Sequence, residues 1–459
     1  MPSSRAVIRS LELPEHEAAR IVAAVTGASL AAVRSGIELS DGEVTRVRVL
    51  VDRRLAGEPL QYLEGTAPFG PLDLAVDSRV LIPRPETEGL YERAIAALDG
   101  TPEPVVVEVG TGSGAIALAI ASTRPDATVV ATEVSTDALE VASANRERVG
   151  VAVEFLPGSV FEPLPARMAG GVSLIVSNPP YVADGAALPA EVADHEPPVA
   201  LFGGQDGLDV IRELVFGAAA WLRSGGWLLL EIGESQGSAV LHLLQVAGGD
   251  LFGRIERDLA GWDRYLVARH VPIETAAHGM AALARGEVIG MPTDTVYGLA
   301  APIEDAGAIR RLFNIKSRPF DKPIPVLVGS VEQAHEVGAF TAAAERAVDA
   351  FWPGALTAIV PMARSLVPGV GDHEARTIGL RMPDHPAALE ILRGVGPLAV
   401  TSANRSGEEP APDADAARQA LWDAVGVFVG GTGGLGTAST VVDFTASQPR
   451  VVRQGPIHL

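Results

Sequence analysis

The sequence predicts an α/β protein in three parts: a helical domain over residues 1–75, a doubly wound parallel sheet of seven strands over 76–270, and a separate α/β domain over 271–459. Three observations carry this reading. Segments of the first 75 residues space their apolar side chains by three and four, as a helix with one buried face does. From residue 104, short apolar runs alternate with helical patterns, the signature of a parallel sheet covered by helices. The alternation stops at RYLVARHVPIET, and a fresh helix begins near 274 in a stretch richer in Gly and Pro.

Helices are expected at LPEHEAARIVAAVTG, SLAAVRSG and DGEVTRVRVLVDRRLAG, punctuated by glycines. The segment VLIPRPETE (80–88) reads as irregular and Pro-rich. Strands are expected at 105–109, 128–133, 151–155, 173–177 and 226–233, with helices at about 114–123, 136–149 and 206–223. Two late strands near 254–259 and 264–269, split by AGWD, read as a closing hairpin. In the last part a helix at TAAHGMAALARG and a strand at EVIGMP lead into many short strands and a few helices. No internal repeat links the parts, and the connection near 270–275 is short.

Composition excludes several chemistries. The 459 residues contain no cysteine, which removes disulfides, thiolate metal sites and cysteine nucleophiles. No run reaches the roughly 18 apolar residues of a membrane span, and the first residues lack the apolar core of a signal peptide, so a cytoplasmic protein with no membrane partner is expected. Net charge is −21; residues 1–270 hold 21 Arg against 37 acids, and 271–459 hold 13 Arg and 2 Lys against 20 acids. Strong direct nucleic-acid binding, which needs clustered cations, is not expected. Of the 36 basic residues only Lys316 and Lys322 are lysines. An Arg-favouring codon usage gives such a ratio; alternatively, these two stand where a compact point charge cannot be replaced by a planar fork. Neither follows the glycines of a Walker A loop, and no HExxH or EF-hand pattern predicts a protein-built metal site.

The first chemical constellation is VVVEVGTGSGAIALAI, with Gly110, Gly112 and Gly114 between a buried strand and a helix. Glycines there permit a sharp turn and close approach of a ligand to the helix N-terminus, although the same pattern serves as ordinary turn punctuation. Glu133 ends the next strand, where a carboxylate can accept both hydroxyls of a ribose. The spacing G-x-G-x-G, with Ala115 next, points to S-adenosylmethionine in preference to a dinucleotide. Asn178-Pro179-Pro180-Tyr181 ends the fourth strand, where ligands of such sheets bind; the plainer alternative is a Pro-stiffened turn. An amide nitrogen is a poor nucleophile because its lone pair is delocalised. The Asn178 side-chain carbonyl and the Pro179 backbone carbonyl can accept its two hydrogens while Tyr181 stacks on the planar group.

Over essentially residues 1–270 the chain resembles the HemK/PrmC family of protein-(glutamine-N5) methyltransferases of peptide-chain release factors. GEPLQYLEG, VLIPRPETE, EVGTGSGAIALA, SNPPYV, HEPPVALFGGQDGLD, LLLEIGESQG and AGWDRYLVA carry the resemblance, in the family's order. It implies that Gly110, Thr111, Gly112, Ser113, Gly114 and Glu133 hold the cofactor, that Asn178, Pro179, Pro180 and Tyr181 hold the substrate glutamine of the Gly-Gly-Gln loop of a class-I release factor, and that the N-terminal helices help dock that release factor. Glu108 and Glu133 stand where the family usually has Asp. Ser159 stands where an acid usually meets the adenine, and Val160 replaces a common aromatic beside it.

The second constellation begins at MPTDTVYGL, where the two-residue strand period puts Thr293, Thr295 and Tyr297 on one face. In NIKSRPFDKPIPVLV, Lys316, Arg318 and Lys322 form a cationic loop suited to phosphates, or an ordinary solvated surface. Ser402 and Asn404 sit two apart after a strand, Arg381 can clamp a carboxylate, and His385 is equally a turn residue or a ligand. PTDTVYGL, KSR, WPG-x-LT, G-x-R-x-P, TSAN-x-SG and STVVD, in order over about 275–459, resemble the YrdC family of L-threonylcarbamoyladenylate synthases. The resemblance implies condensation of threonine, bicarbonate and ATP, with Mg²⁺ carried by the nucleotide. Its product, the resemblance further implies, would be handed to other tRNA threonylcarbamoyl-transfer proteins. Lys316 and Arg318 would meet the leaving pyrophosphate, Ser402 and Asn404 the nucleotide, and Thr293, Thr295 and Arg381 the threonine. Val326-Leu327 stands where some relatives have a histidine, and the extra domain of longer relatives is not expected after VVRQGPIHL. The alternative reading is a methyltransferase for another protein or nucleic acid, fused to a non-catalytic RNA-binding module.

Overall fold

The computed structural model describes residues 1–459 other than 249, 318, 320, 321 and 459. The chain divides into two compact units: one comprises 1–223, 227–247 and 253–268, the other 224–226, 248–252 and 269–459.

The first unit opens with five helices, α1 (Ser4–Arg9), α2 (Glu15–Thr26), α3 (Leu30–Ser35), α4 (Asp41–Leu55) and α5 (Leu60–Glu64). They bury Ile21, Val22, Val33, Leu39 and Val47 against one another. Ser40 and Glu43 form a reciprocal capping box that starts α4. The helical expectation fails after residue 65. There β1 (Thr66–Phe69) and β2 (Leu72–Ala75) pair antiparallel as a hairpin, burying Ala67, Phe69 and Leu74 at the strand period. The irregular reading of 80–88 also needs correction. Pro85 is the first residue of α6 (Pro85–Ala97), where its missing N–H leaves no helical bond unmade, and Glu86 and Glu88 face the helix dipole in the first turn.

The seven-stranded sheet follows, from β3 (Val105–Val109), β4 (Thr128–Glu133), β5 (Glu154–Pro157), β6 (Val172–Ser177), β7 (Leu222–Glu231), β8 (Leu251–Arg257) and β9 (Asp263–His270), in the order β5-β4-β3-β6-β7-β9-β8. Its helices are α7 (Ala115–Thr123), α8 (Thr136–Val149), α9 (Ala190–Ala193), α10 (Asp209–Trp221) and α11 (Gly237–Ala247), of which α9 and α11 were not anticipated. β5 begins three residues later than 151, because Glu154 through Pro157 are the residues in register with Val130–Glu133. β9 takes the place beside β7, which leaves β8 at the edge. β3, β4, β5, β6 and β7 are parallel neighbours, and the strand order reverses between β3 and β6. Loops at the carboxyl ends of those two strands therefore open a crevice.

The second unit is built on a ten-stranded mixed sheet. Its strands are β10 (Ile273–Glu274), β11 (Ile289–Met291), β12 (Gly298–Pro302), β13 (Val326–Leu327), β14 (Leu356–Pro361), β15 (Thr377–Arg381), β16 (Leu398–Ser402), β17 (Val427–Val429), β18 (Thr440–Asp443) and β19 (Arg450–Arg453). They run in the order β10-β17-β11-β12-β16-β13-β15-β14-β18-β19. Among the described residues six helices accompany them: α12 (Ala276–Ala284), α13 (Ala306–Ile315), α14 (Val331–Val337), α15 (Ala342–Phe351), α16 (Pro386–Val395) and α17 (Ala414–Leu421). Leu312, Phe313, Leu356, Leu380 and Phe428 are among the residues of its main core. Among the described residues no helix is long and apolar enough to cross a membrane.

Candidate active sites

The crevice of the first unit is a cavity of about 270 Å³. Gly110, Thr111, Gly112, Ser113, Glu133, Ser159, Val160, Asn178 and Pro180 all reach it, as do Glu108 and Thr87. Gly110 and Gly112 hold positive φ, and nothing lies within 4 Å of where a Cβ would stand on either. The backbone is thus open to a ligand at both positions. Gly114 is not at the cavity: it starts α7 and lets Leu118 close in, which a side chain would block.

Two carboxylates fix this turn. Glu133 accepts from the Gly112 N–H and the Ser135 N–H, both at 2.9 Å, one on each oxygen. Lone pairs remain on both oxygens for a diol. Glu108 is buried beneath the turn, where one oxygen accepts from the Thr111 hydroxyl at 2.5 Å and the Ala117 N–H at 3.0 Å. Burial pushes its carboxyl up to about 8. Its hydrogen bonds make it a brace for the loop. The Ser113 carbonyl is held in turn by the buried Asn145 amide at 2.9 Å.

At the cavity wall Ser159 is exposed, and Val160 holds a φ of 43°, a strained conformation for a β-branched residue. The Val160 carbonyl accepts from the Thr132 hydroxyl at 2.9 Å, which fixes this bend.

The Asn-Pro-Pro-Tyr loop is pinned from three sides. Val182 and Phe202 form a parallel bridge, and Gln236 Nε2 donates to the Tyr181 carbonyl at 3.0 Å. Gly207, at a φ of 73°, lies so close that an added Cβ would stand 2.3 Å from that same carbonyl. The Asn178 amide Nδ2 donates to the Thr87 hydroxyl at 3.0 Å, and Thr87 donates to Glu231 at 2.8 Å. Tyr181 donates to the other Glu231 oxygen at 3.3 Å. Pro179 and Tyr181 are not among the residues at the cavity, and burial raises the Tyr181 hydroxyl above its ordinary value. Thr87 and Glu231 were missed in the sequence. They sit in the IPRPETE and LLLEIG motifs, but no local pattern of residue types marks them.

In the second unit Lys316, Ser402 and Asn404 come together. Lys316 caps α13, is buried, and donates from Nζ to the Ser402 carbonyl at 2.9 Å and the Asn404 carbonyl at 2.7 Å. Ser402 Oγ donates to Asn404 Oδ1 at 2.6 Å. Arg318 lies outside the described residues.

The expected threonine face is not a strand. Residues 293–297 bend, and Thr293 Oγ1 accepts from the backbone N–H groups of Thr295 and Val296 while donating to the Val296 carbonyl at 2.7 Å. Thr293 and Thr295 still meet, with their hydroxyls 3.1 Å apart. Tyr297 does not join them: it is fully buried and its hydroxyl donates to the Val429 carbonyl at 2.6 Å, so it is a core residue.

Arg381 is buried against Thr295 and donates to its hydroxyl at 2.6 Å and to the Gly354 carbonyl at 2.9 Å. Its second terminal nitrogen already meets the carboxylate of Asp294, a residue not anticipated. Burial draws the guanidinium below its ordinary value. A second hydroxyl pair, Thr357 and Ser439 at 2.8 Å, is buried at the starts of β14 and β18, with Arg453 donating to the Ser439 carbonyl. His385 precedes α16, and its half-buried ring leaves Nδ1 without a hydrogen-bond partner among the described residues. Among those residues no cluster of His, Asp and Glu suits a metal ion.

A glycine turn, a strand-end acid and an Asn-Pro-Pro-Tyr loop around one crevice define a methyltransferase of the parallel-sheet class. Residues 94–194 match the model of the methyltransferase small domain, and residues 5–65 that of the PrmC N-terminal domain. The release factor glutamine methyltransferase of Mycolicibacterium smegmatis is 45% identical over 223 residues, covering 48% of this chain and 78% of the relative. That of Deinococcus radiodurans is 40% identical over 260 residues, covering 56% and 91%. The chain belongs to the release factor glutamine methyltransferase family.

It also carries a Sua5/YciO/YrdC domain: residues 281–455 match that family model, described as telomere recombination. The solved structure of P. abyssi Sua5 complexed with L-threonine is 31% identical, with a TM-score of 0.38, covering 39% of this chain and 54% of that one. The chain thus spans about half the length of that structure.

Proposed function

We propose that the chain carries two enzymes. The first unit transfers a methyl group from S-adenosylmethionine to the side-chain nitrogen of the glutamine in the Gly-Gly-Gln loop of class-I release factors. The observation that carries this is the Asn178 side chain, fixed at the rim of the crevice by its bond to Thr87. Gly110 to Ser113 and Glu133 would hold the cofactor, with Gly114 starting the helix behind them and Glu108 bracing their turn; the open backbone at Gly110 and Gly112 and the spare lone pairs of Glu133 fit it. The cofactor supplies an electrophilic methyl on a sulfonium. Asn178 Oδ1 and the Pro179 carbonyl accept the two amide hydrogens, which turns the nitrogen lone pair toward that methyl. A carbon–nitrogen bond forms as the carbon–sulfur bond breaks, and the nitrogen then gives up one proton to solvent. The helices of residues 1–75 would dock the release factor, and 76–270 would hold the methyl-transfer machinery.

The second unit, over 271–459, would join threonine, bicarbonate and ATP into L-threonylcarbamoyl-AMP with release of pyrophosphate. The buried Lys316 supports this: the Ser402 and Asn404 carbonyls fix its position, and its positive charge would attract a leaving pyrophosphate. The carbamate oxygen attacks the α-phosphorus, and Mg²⁺ comes with the nucleotide. Thr293, Thr295 and Arg381 are the proposed threonine pocket. Product would pass to other tRNA threonylcarbamoyl-transfer proteins in the cytoplasm. Label from methyl-labelled S-adenosylmethionine should appear on the Gly-Gly-Gln glutamine, and threonine should be required for ATP–pyrophosphate exchange. Label that never reaches that glutamine, or RNA binding without exchange, would sink the corresponding half.

A further inference from the structure

An Asn side chain can face its partner with either end, and only one end helps here. Methyl transfer needs the Asn178 oxygen toward the substrate amide. Asn178 Nδ2 instead donates to Thr87 Oγ1 at 3.0 Å, and the Thr87 hydroxyl donates its single proton to Glu231 Oε2 at 2.8 Å. Because the carboxylate takes that proton, Thr87 has only a lone pair left for Asn178. Thr87 and Glu231 are both buried, which strengthens these bonds.

We propose that Glu231 is a positioning residue for methyl transfer, setting through Thr87 which end of the Asn178 amide meets the substrate. The inference rests on the methyl-transfer reading above. It predicts that protonating Glu231 is inhibitory. A carboxyl O–H that donates to Thr87 turns the threonine proton toward Asn178, and the amide flips its donor end into the crevice. The groups facing Glu231 are Thr87 and Glu86 from α6, Tyr181 from the Asn-Pro-Pro-Tyr loop, and Arg264 and Tyr265 from β9. Burial outweighs the pull of Arg264 and holds the carboxyl at about 7.

The test uses the full chain, a release factor as substrate and calorimetry with S-adenosylmethionine. Thr87→Val should lower kcat by about 30-fold or more while cofactor affinity stays within about twofold of wild type. Thr87→Ser, which restores the hydroxyl, should stay within about threefold of wild type. Wild type should lose activity below about pH 7, and Glu231→Gln should lack that acid limb. Equal kcat in Thr87→Val and wild type, or an unchanged acid limb in Glu231→Gln, overturns the inference and leaves the methyl-transfer reading standing. A wild-type chain that methylates no release factor removes that reading and the inference together.

Discussion

Lys316 and Asn404 meet across 88 residues of chain, the lysine Nζ donating to the Asn404 carbonyl at 2.7 Å. A second carbonyl, that of Ser402, accepts from the same nitrogen. An ammonium can spread its three hydrogens over such a cluster, whereas a guanidinium is planar and longer. Lys316→Arg should therefore keep the charge and still lower threonine-dependent ATP–pyrophosphate exchange by about 50-fold or more. Near-wild-type exchange in that variant would show that charge alone is needed there.

Glu108 makes the stability of the first unit pH-dependent. Its carboxyl is raised from an ordinary 4.5 to about 8 by burial, so between those values the folded chain keeps a proton that the unfolded chain has released. Stability therefore falls as pH rises through that window. Glu231, raised to about 7, acts in the same direction. Glu108→Gln keeps an acceptor for Thr111 and Ala117 but cannot ionise. Thermal unfolding followed across the window should show a shallower decline in the variant than in wild type, and parallel declines would contradict the assignment.

Ser159 offers no carboxylate to a ligand at the cavity wall. If the adenine of the cofactor lies there, as the resemblance implies, Ser159→Asp adds a charge-assisted acceptor for its amino group. The dissociation constant for S-adenosylmethionine should then drop by about three- to tenfold in calorimetry. Unchanged or weaker binding would place the adenine elsewhere.

Tyr297 separates core from pocket. Tyr297→Phe loses one buried hydrogen bond to Val429 and should destabilise the second unit by about 1–2 kcal/mol in denaturant unfolding, with KM for threonine unchanged. A raised KM at unchanged stability would return Tyr297 to the pocket.

The sheet of the first unit was legible because parallel strands buried on both faces read as continuous apolar runs, as VVVEV and SLIVS do. The β1–β2 hairpin was not, since its two four-residue strands are too short to establish a period. The Asn178 loop could be found from its own residues, but its supports could not. Residues 87, 178 and 231 converge only through the fold, and an isolated Thr or Glu carries no mark of that. Thr293 and Thr295 show a different limit. Alternating β-branched residues look the same in a strand and in a bend whose hydroxyl caps the backbone.

Whether one chain carries two separate active sites is decided by a crossed experiment. Methyl transfer to a release factor and threonine-dependent ATP–pyrophosphate exchange are measured on the full-length wild type, Asn178→Ala and Lys316→Met. Wild type should perform both reactions. Asn178→Ala should lose methyl transfer by about 100-fold or more, with cofactor binding and exchange retained, and Lys316→Met should lose exchange while methyl transfer persists. A wild type that performs only one reaction, or either substitution stopping both, would show that the chain does not hold two separate active sites.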